Sequence, residues 1–338
     1  MPVPPFKNGE EIPMRSEIIS LYEGRSDVTL TTYILDDSAE MLAGKKRPAV
    51  LVCPGGAYMN CSDREGEPVA LRFASMGYHA FVLRYSVYGE GKREGFPDLS
   101  KPLPVKEHSQ YPVPMREIGQ SLKFIREHGE DWLVDADRIA ICGFSAGAHN
   151  CAMYETNWNR PVIYEYLKTE PEKIRPAAVI LGYTLSDYLY MKEMAEKQGP
   201  MALGLFAASN TSFLGEAEPS DDRLELVSPA RHVTAQTPPT FLWATAGDNL
   251  VPVQHSIRMA HALADHGVPF ELHIFEEGDH GLALADQTSA AVRSQINADA
   301  VKWSALADAW LKKRFAFDLP EMTEFERMMA EQEKAAEL

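Results

Sequence analysis

Residues Arg138–His149 read RIAICGFSAGAH. Arg138 to Cys142 is a short apolar, β-branched run that predicts a buried strand, and from Ala146 onward the pattern turns helical. Between them stands Gly143-Phe144-Ser145-Ala146-Gly147, a G-x-S-x-G pentapeptide. With a strand before it and a helix after it, the pattern predicts a nucleophile elbow, a tight turn that presents one serine hydroxyl at the end of a sheet. Glycine is needed on both flanks, because a β-carbon at Gly143 or Gly147 would collide where strand and helix backbones approach. The pentapeptide alone matches many unrelated loops. What surrounds it decides.

A serine hydroxyl is a poor nucleophile until a base takes its proton during attack. The base suited to that task is a histidine whose tautomer and orientation are fixed by a carboxylate. At a strand-end elbow the expected chain order is Ser, then Asp or Glu, then His. Thr240–Asn249 reads TFLWATAGDN, an apolar strand and a small-residue turn that delivers Asp248. Glu271–Gly281 reads ELHIFEEGDHG, a strand whose following loop delivers His280. Ser145, Asp248 and His280 thus follow three separate strands in the required order. Asp248 would also suit the start of the helix near Val253. Glu277 and Asp279 are rival carboxylates, but they share one loop with His280, a poor geometry for orienting its ring. His149 lies one turn past Ser145 and precedes Asp248, so chain order argues against it. His255, His261, His266 and His273 fall within helices or strands and read as packed or surface residues.

Attack on a carbonyl also needs donors for the oxyanion that develops. One is expected from the N–H of Ala146, directly after the serine. Others are expected from Cys53-Pro54-Gly55-Gly56-Ala57-Tyr58, the loop after the strand Ala49–Val52, with Gly56 and Ala57 as donors. Tyr58 and Tyr183 fall just past strand ends, where each suits stacking on a substrate or plain packing.

Working outward, Val28–Leu35 alternates like a half-exposed strand, with Ile18–Tyr22 as its hairpin partner. Ala49–Cys53, Ala80–Leu83, Ile139–Cys142, Ala178–Leu181, Thr240–Ala244 and Glu271–Phe275 are continuous apolar runs that suit strands buried on both faces. Helices are expected over Pro68–Ser75, Met115–His128 and Val253–His266, the last with an apolar stripe at Val253, Ile257, Ala260 and Leu263–Ala264. Alternating strands and helices imply a three-layer α/β domain with a mostly parallel central sheet and helices on both faces. One catalytic domain is expected over residues 1–320. The interval 184–239 is too long for an ordinary connection and reads as a cap over the strand ends or as an excursion packed on the body. Residues 321–338 are charged and alanine-rich, with Met322, Phe325 and Met329 at helical spacing, and read as a solvated helix, a frayed tail or a partner-binding helix.

The chain has 338 residues, 45% of them apolar, and a formal net charge of −16. That charge disfavours nucleic acid and anionic membranes, which are bound through surplus Lys and Arg. Cys53, Cys61, Cys142 and Cys151 lack ligand spacing and read as reduced thiols. No apolar run approaches the ~20 residues needed to span a bilayer. MPVPPFKNGEEIPM resembles no secretory signal, so the expected location is cytoplasmic.

These residues resemble the α/β-hydrolase superfamily, specifically its esterase and lipase branch with an HGGG-type loop, from about Val28 to Arg314. Within that branch, Pro54–Tyr58, Glu65-Gly66-Glu67-Pro68, Leu83-Arg84-Tyr85 and the stretch from Ser228–Val233 to Pro252 look like small carbohydrate esterases, such as acetyl xylan esterases and feruloyl-esterase-like proteins. Gly56 and Ala57 map onto the second and third glycines of HGGG. Pro54 replaces the histidine and Ala57 the last glycine; neither change removes a backbone donor. The resemblance implies a serine carboxylic-ester hydrolase without metal or cofactor, acting on a short acyl ester, acetate foremost, of a sugar or oligosaccharide. A serine peptidase or amidase on the same scaffold and a non-catalytic ligand-binding relative are the alternatives, and a homo-oligomer stays open.

Overall fold

Eight strands make one sheet in the order β1-β2-β4-β3-β5-β6-β7-β8. They are β1 Ile18–Tyr22, β2 Arg25–Tyr33, β3 Arg47–Cys53, β4 His79–Arg84, β5 Val134–Phe144, β6 Ala178–Gly182, β7 Thr240–Thr245 and β8 Phe270–Phe275. The pairs β1–β2 and β2–β4 are antiparallel and all the others are parallel. The computed structural model describes residues 14–38, 40–91, 97–98, 101–317 and 319–336. The amino-terminal stretch read for a signal lies largely outside them.

The central strands carry apolar residues at consecutive positions because each face of the sheet is covered. Ala49 and Leu51 of β3, Ile139 and Ile141 of β5, and Val179 and Leu181 of β6 enter one core. Their neighbours Val50, Val52, Ala140, Cys142, Ala178 and Ile180 enter the other. The first core packs under helices α2 Val113–Glu127, α3 Ala146–Glu155, α4 Pro161–Leu167 and α8 Gln254–Asp265, the second under α1 Glu67–Ser75 and α9 Trp303–Phe315. Full burial of each Val, Leu or Ile side chain stabilises by about 1.5–3 kcal/mol. This is the three-layer arrangement expected from the alternation of strands and helices.

Two expectations need correction. Glu271–Phe275 is not covered on both faces: β8 is the sheet's edge, with Phe270 and Ile274 exposed. Nor does α8 bury all of the expected stripe, although Ala260 and Leu263 are buried as expected. Ile257 is exposed, while His255, Ser256, Met259, Ala260, Ala262 and Leu263 face inward. His255 and Ser186 explain the rotation. The Ser186 hydroxyl donates to the His255 carbonyl at 2.7 Å, and the Ser186 N–H donates to His255 Nδ1 at 3.3 Å.

The interval 184–239 forms α5 Tyr188–Gln198, α6 Pro200–Leu214 and α7 Asp221–Leu226. Of its apolar residues, Tyr188, Met191, Phe206 and Phe213 are buried, whereas Met201 is 90% exposed. Helix α10, Glu324–Ala336, carries Phe325 and Met329 on an exposed surface. No described helix is long and apolar enough to cross a membrane. All four cysteines are free thiols, three of them buried.

Candidate active site

Strands β3, β5, β7 and β8 run parallel, so the loops that follow them emerge on one side of the sheet. Ser145 is the first residue beyond β5. Its backbone sits at φ 52°, ψ −121°, a conformation that costs an L-residue of order 1–3 kcal/mol. The flanking glycines make this turn possible, though not only as the sequence implied. A β-carbon on Gly143 would stand 2.3 Å from the Gly147 carbonyl oxygen, within the elbow itself. One on Gly147 would instead strike the end of β3 and the start of the loop after it, 2.1 Å from the Cys53 and 2.4 Å from the Pro54 carbonyl oxygen.

Asp248 lies three residues past β7 and His280 five past β8. The loops are tied by one backbone and one side-chain bond: Ala246 N–H donates to Phe275 O at 2.8 Å, and the Thr245 hydroxyl donates to Gly278 O at 2.8 Å. His280 Nδ1 is 2.7 Å from Asp248 Oδ2, and His280 Nε2 is 2.8 Å from Ser145 Oγ. A carboxylate only accepts, so the proton sits on Nδ1 and the Ser145 hydroxyl donates to the free Nε2 lone pair. Asp248 is fixed in turn, its Oδ1 accepting the N–H groups of Leu250 and Val251 at 2.9 Å each. The helix-start role weighed for Asp248 is not met: both donors lie in the loop before α8, whose N-cap, Val253, receives no side-chain bond.

The loop after β3 curls through three successive positive φ angles: 136° at Gly56, 52° at Ala57 and 59° at Tyr58. Gly56 makes the turn, because a β-carbon there would lie 2.1 Å from Asn60 Oδ1. Ala57, Ala146 and Ser145 line a common cavity containing about 600 Å³ of empty space, part of it open to solvent. The remainder of its wall is mostly apolar and comes largely from 184–239: Leu185, Tyr188, Met191, Ala202, Leu205 and Phe206. Leu250 and Val251, beside Asp248, complete it.

Tyr58 and Tyr183 take up different positions. Tyr58 lines the cavity but is almost fully buried, stacked on Phe213 with ring centroids 4.1 Å apart. Its hydroxyl is 2.6 Å from His149 Nδ1, and His149 Nε2 is 2.8 Å from the Val227 carbonyl oxygen. The carbonyl requires a proton on Nε2, so Tyr58 O–H donates to Nδ1. Burial lowers this imidazole to about 4, which keeps it neutral. Tyr183 offers no open stacking face. It is buried, with its hydroxyl donating to Glu65 and its ring edge-on to His280, centroids 5.0 Å apart. Sequence reasoning missed Glu65 and the bond between Tyr58 and His149; a Glu before Gly66-Glu67-Pro68 reads simply as a helix-start acid.

A family profile described as BD-FAE matches residues 103–263. The chain is 32% identical to endo-1,4-β-xylanase B of Butyrivibrio fibrisolvens over 248 residues, covering 71% of this chain and 33% of that protein. It spans between 33% and 56% of the length of the curated relatives it matches. MGS-M1, an α/β hydrolase enzyme from a Medee basin deep-sea metagenome library, is similar at TM-score 0.66 and 31% identity, over 90% of this chain and 99% of that one. The acetyl ester-xyloside bifunctional hydrolase of Caldicellulosiruptor lactoaceticus is similar at TM-score 0.67 and 29% identity, over 90% and 98%.

Proposed function

Since the chain belongs to the α/β hydrolases, we propose that it is a serine carboxylic-ester hydrolase with Ser145, His280 and Asp248 as its catalytic residues. The observation that carries this reading is the continuous hydrogen-bonded path from Ser145 Oγ through His280 to Asp248. Ser145 Oγ attacks the ester carbonyl while its proton passes to His280 Nε2. Asp248 keeps the ring in the reactive tautomer and stabilises the imidazolium that forms. The N–H groups of Gly56, Ala57 and Ala146 donate to the developing oxyanion, each such donor being worth about 3 kcal/mol in the transition state. The tetrahedral adduct then collapses: the C–O bond to the alcohol breaks and His280 protonates the departing oxygen. Water, deprotonated by His280, attacks the acyl-serine; the bond from the carbonyl carbon to Ser145 Oγ breaks, His280 returns the proton to Oγ, and the acid leaves.

His280 must reach the leaving alcohol, so the alcohol lies on its side of Ser145. The apolar cavity lies beside Ala57 and Ala146 and therefore takes the acyl group. We assign 184–239 as the cap that walls it. A short acyl chain suits this space, and the similarity to a xylanase and to an acetyl ester-xyloside hydrolase favours acetate on a sugar or oligosaccharide. The test is Ser145→Ala assayed on p-nitrophenyl acetate and on acetylated xylo-oligosaccharides. Turnover and fluorophosphonate labelling should both vanish while the fold persists; a variant that still turns over would refute the nucleophile.

A further inference from the structure

We infer that Glu65 is a positioning residue that locks the oxyanion loop to the loop carrying His280; the inference rests on the ester-hydrolase reading above. Glu65 ends the three-residue 3-10 turn Asp63–Glu65 just before α1 and is only 4% exposed. Its two oxygens point to two different loops. Oε2 accepts the Gly55 N–H at 2.7 Å, at the root of the oxyanion loop. Oε1 accepts the Tyr183 hydroxyl at 2.6 Å. That hydroxyl itself accepts the N–H of Ala283 at 3.0 Å, three residues past His280, and the Tyr183 ring stands at 72° to the imidazole. The adjacent Arg64 grips the same loop, donating to Gly281 O at 2.9 Å and Ser289 O at 2.6 Å.

A buried carboxylate is costly unless its oxygens are satisfied. Here both are, by donors that belong to the two halves of the site. Neither side-chain bond goes to α1, which a residue serving only the helix start would favour. The packing is equally specific. A β-carbon on Gly55 would meet Glu65 Oε2 at 2.9 Å and Ser145 Cβ at 2.8 Å, so carboxylate, loop and nucleophile converge on one peptide. Oxyanion donors work only near 2.7–3.1 Å from the developing charge. A displacement of Gly55 carries Gly56 and Ala57 with it. A glutamine keeps the shape but offers one accepting oxygen instead of two, so one of the two loops is released.

The experiment compares Glu65→Gln, Tyr183→Phe and the double variant on p-nitrophenyl acetate. It reads kcat per site titrated by a fluorophosphonate, KM, and affinity for a trifluoromethyl ketone that forms a tetrahedral adduct with serine. Glu65→Gln should lower kcat by about 10–100-fold with KM within about threefold, and weaken the ketone in parallel. Tyr183→Phe keeps the Gly55 bond and should lose about 3–10-fold. The double variant should match Glu65→Gln, because both residues act through one path. Losses that multiply, or a Glu65→Gln protein that only melts earlier with wild-type kcat per titrated site, would overturn the inference. If Glu65→Gln does not fold, Tyr183→Phe decides alone: undiminished kcat overturns it. Ser145→Ala runs beside them. A dead Ser145→Ala with an unaffected Glu65→Gln defeats this inference alone, whereas an active Ser145→Ala defeats the reading beneath it.

Discussion

Helix α3 meets the end of β3 and the loop that follows it at Gly147, where a β-carbon would stand 2.1 Å from the carbonyl oxygen of Cys53. The Pro54 carbonyl oxygen is next, at 2.4 Å, so no flexible side chain can move aside. Gly147→Ala must therefore force loop and helix apart. We expect kcat to fall by about 100-fold, the usual result of misplacing reacting groups by an ångström, with overpacking costing about 1–3 kcal/mol of stability. Urea unfolding and kcat per titrated site check both. A soluble Gly147→Ala with wild-type turnover would show that the loop is not the oxyanion loop.

Asp248→Asn separates two tasks of one side chain. The remaining oxygen can still accept from Leu250 and Val251, so the melting temperature should move little. The amide cannot hold His280 in the same tautomer, and kcat should drop by roughly 10³–10⁴-fold. Glu277→Gln and Asp279→Asn should leave kcat within about threefold, since solvent-side charges contribute little. Steady-state kinetics on all three would exchange the roles if the pattern reversed.

Ala202 lies on α6 in the wall of the apolar cavity. Ala202→Phe should fill that space and select acyl length. Turnover of p-nitrophenyl butyrate should fall at least about tenfold relative to acetate, since each methylene that must be accommodated counts for ~1–3 kcal/mol. Equal losses on both esters would place the acyl group elsewhere.

Buried ionisable groups give the stability curve two opposing limbs. Burial lowers His79 and His149 to about 4 and His255 to about 3, from an ordinary value of 6.5. Their contribution is complete above pH 6.5 and is lost as pH falls toward those values. Burial raises Glu117 to about 7 and Glu155 to about 8, from 4.5. Their contribution is complete below pH 4.5 and is lost as pH rises through 7 and 8. With three imidazoles rising against two carboxyls falling, these groups place the maximum near pH 6.5. Glu155 is the sharper test. The Thr240 hydroxyl donates to Glu155 Oε2 at 2.7 Å, which favours the carboxylate, but burial outweighs it. Glu155→Gln should flatten the alkaline limb by up to about 1.4 kcal/mol per pH unit. An unchanged slope in urea titrations between pH 6.5 and 8 would count against a neutral Glu155.

The layered fold was legible because β3, β5 and β6 are covered on both faces, which leaves continuous apolar runs as their trace. β8 carries a similar run but has no neighbour beyond it, and nothing in ELHIFEE marks an edge. Helix α8 departs in part from its expected stripe for a related reason: His255 turns inward to meet Ser186, a partner 69 residues away. The elbow and the two downstream loops were readable because each chemical group follows its own strand. Glu65 was not, since its partners lie 10 and 118 residues distant and a three-residue turn has no periodicity.

Ser145 and His280 are joined across 135 residues of chain, through loops that depend on β5 and β8 having already docked. Contacts of such long range are late arrivals in folding, after the entropy of closing large loops has been overcome. Regain of ester turnover during refolding should therefore follow the slowest spectroscopic phase and never precede it. For this chain, catalysis would serve as a clock for the completion of the sheet.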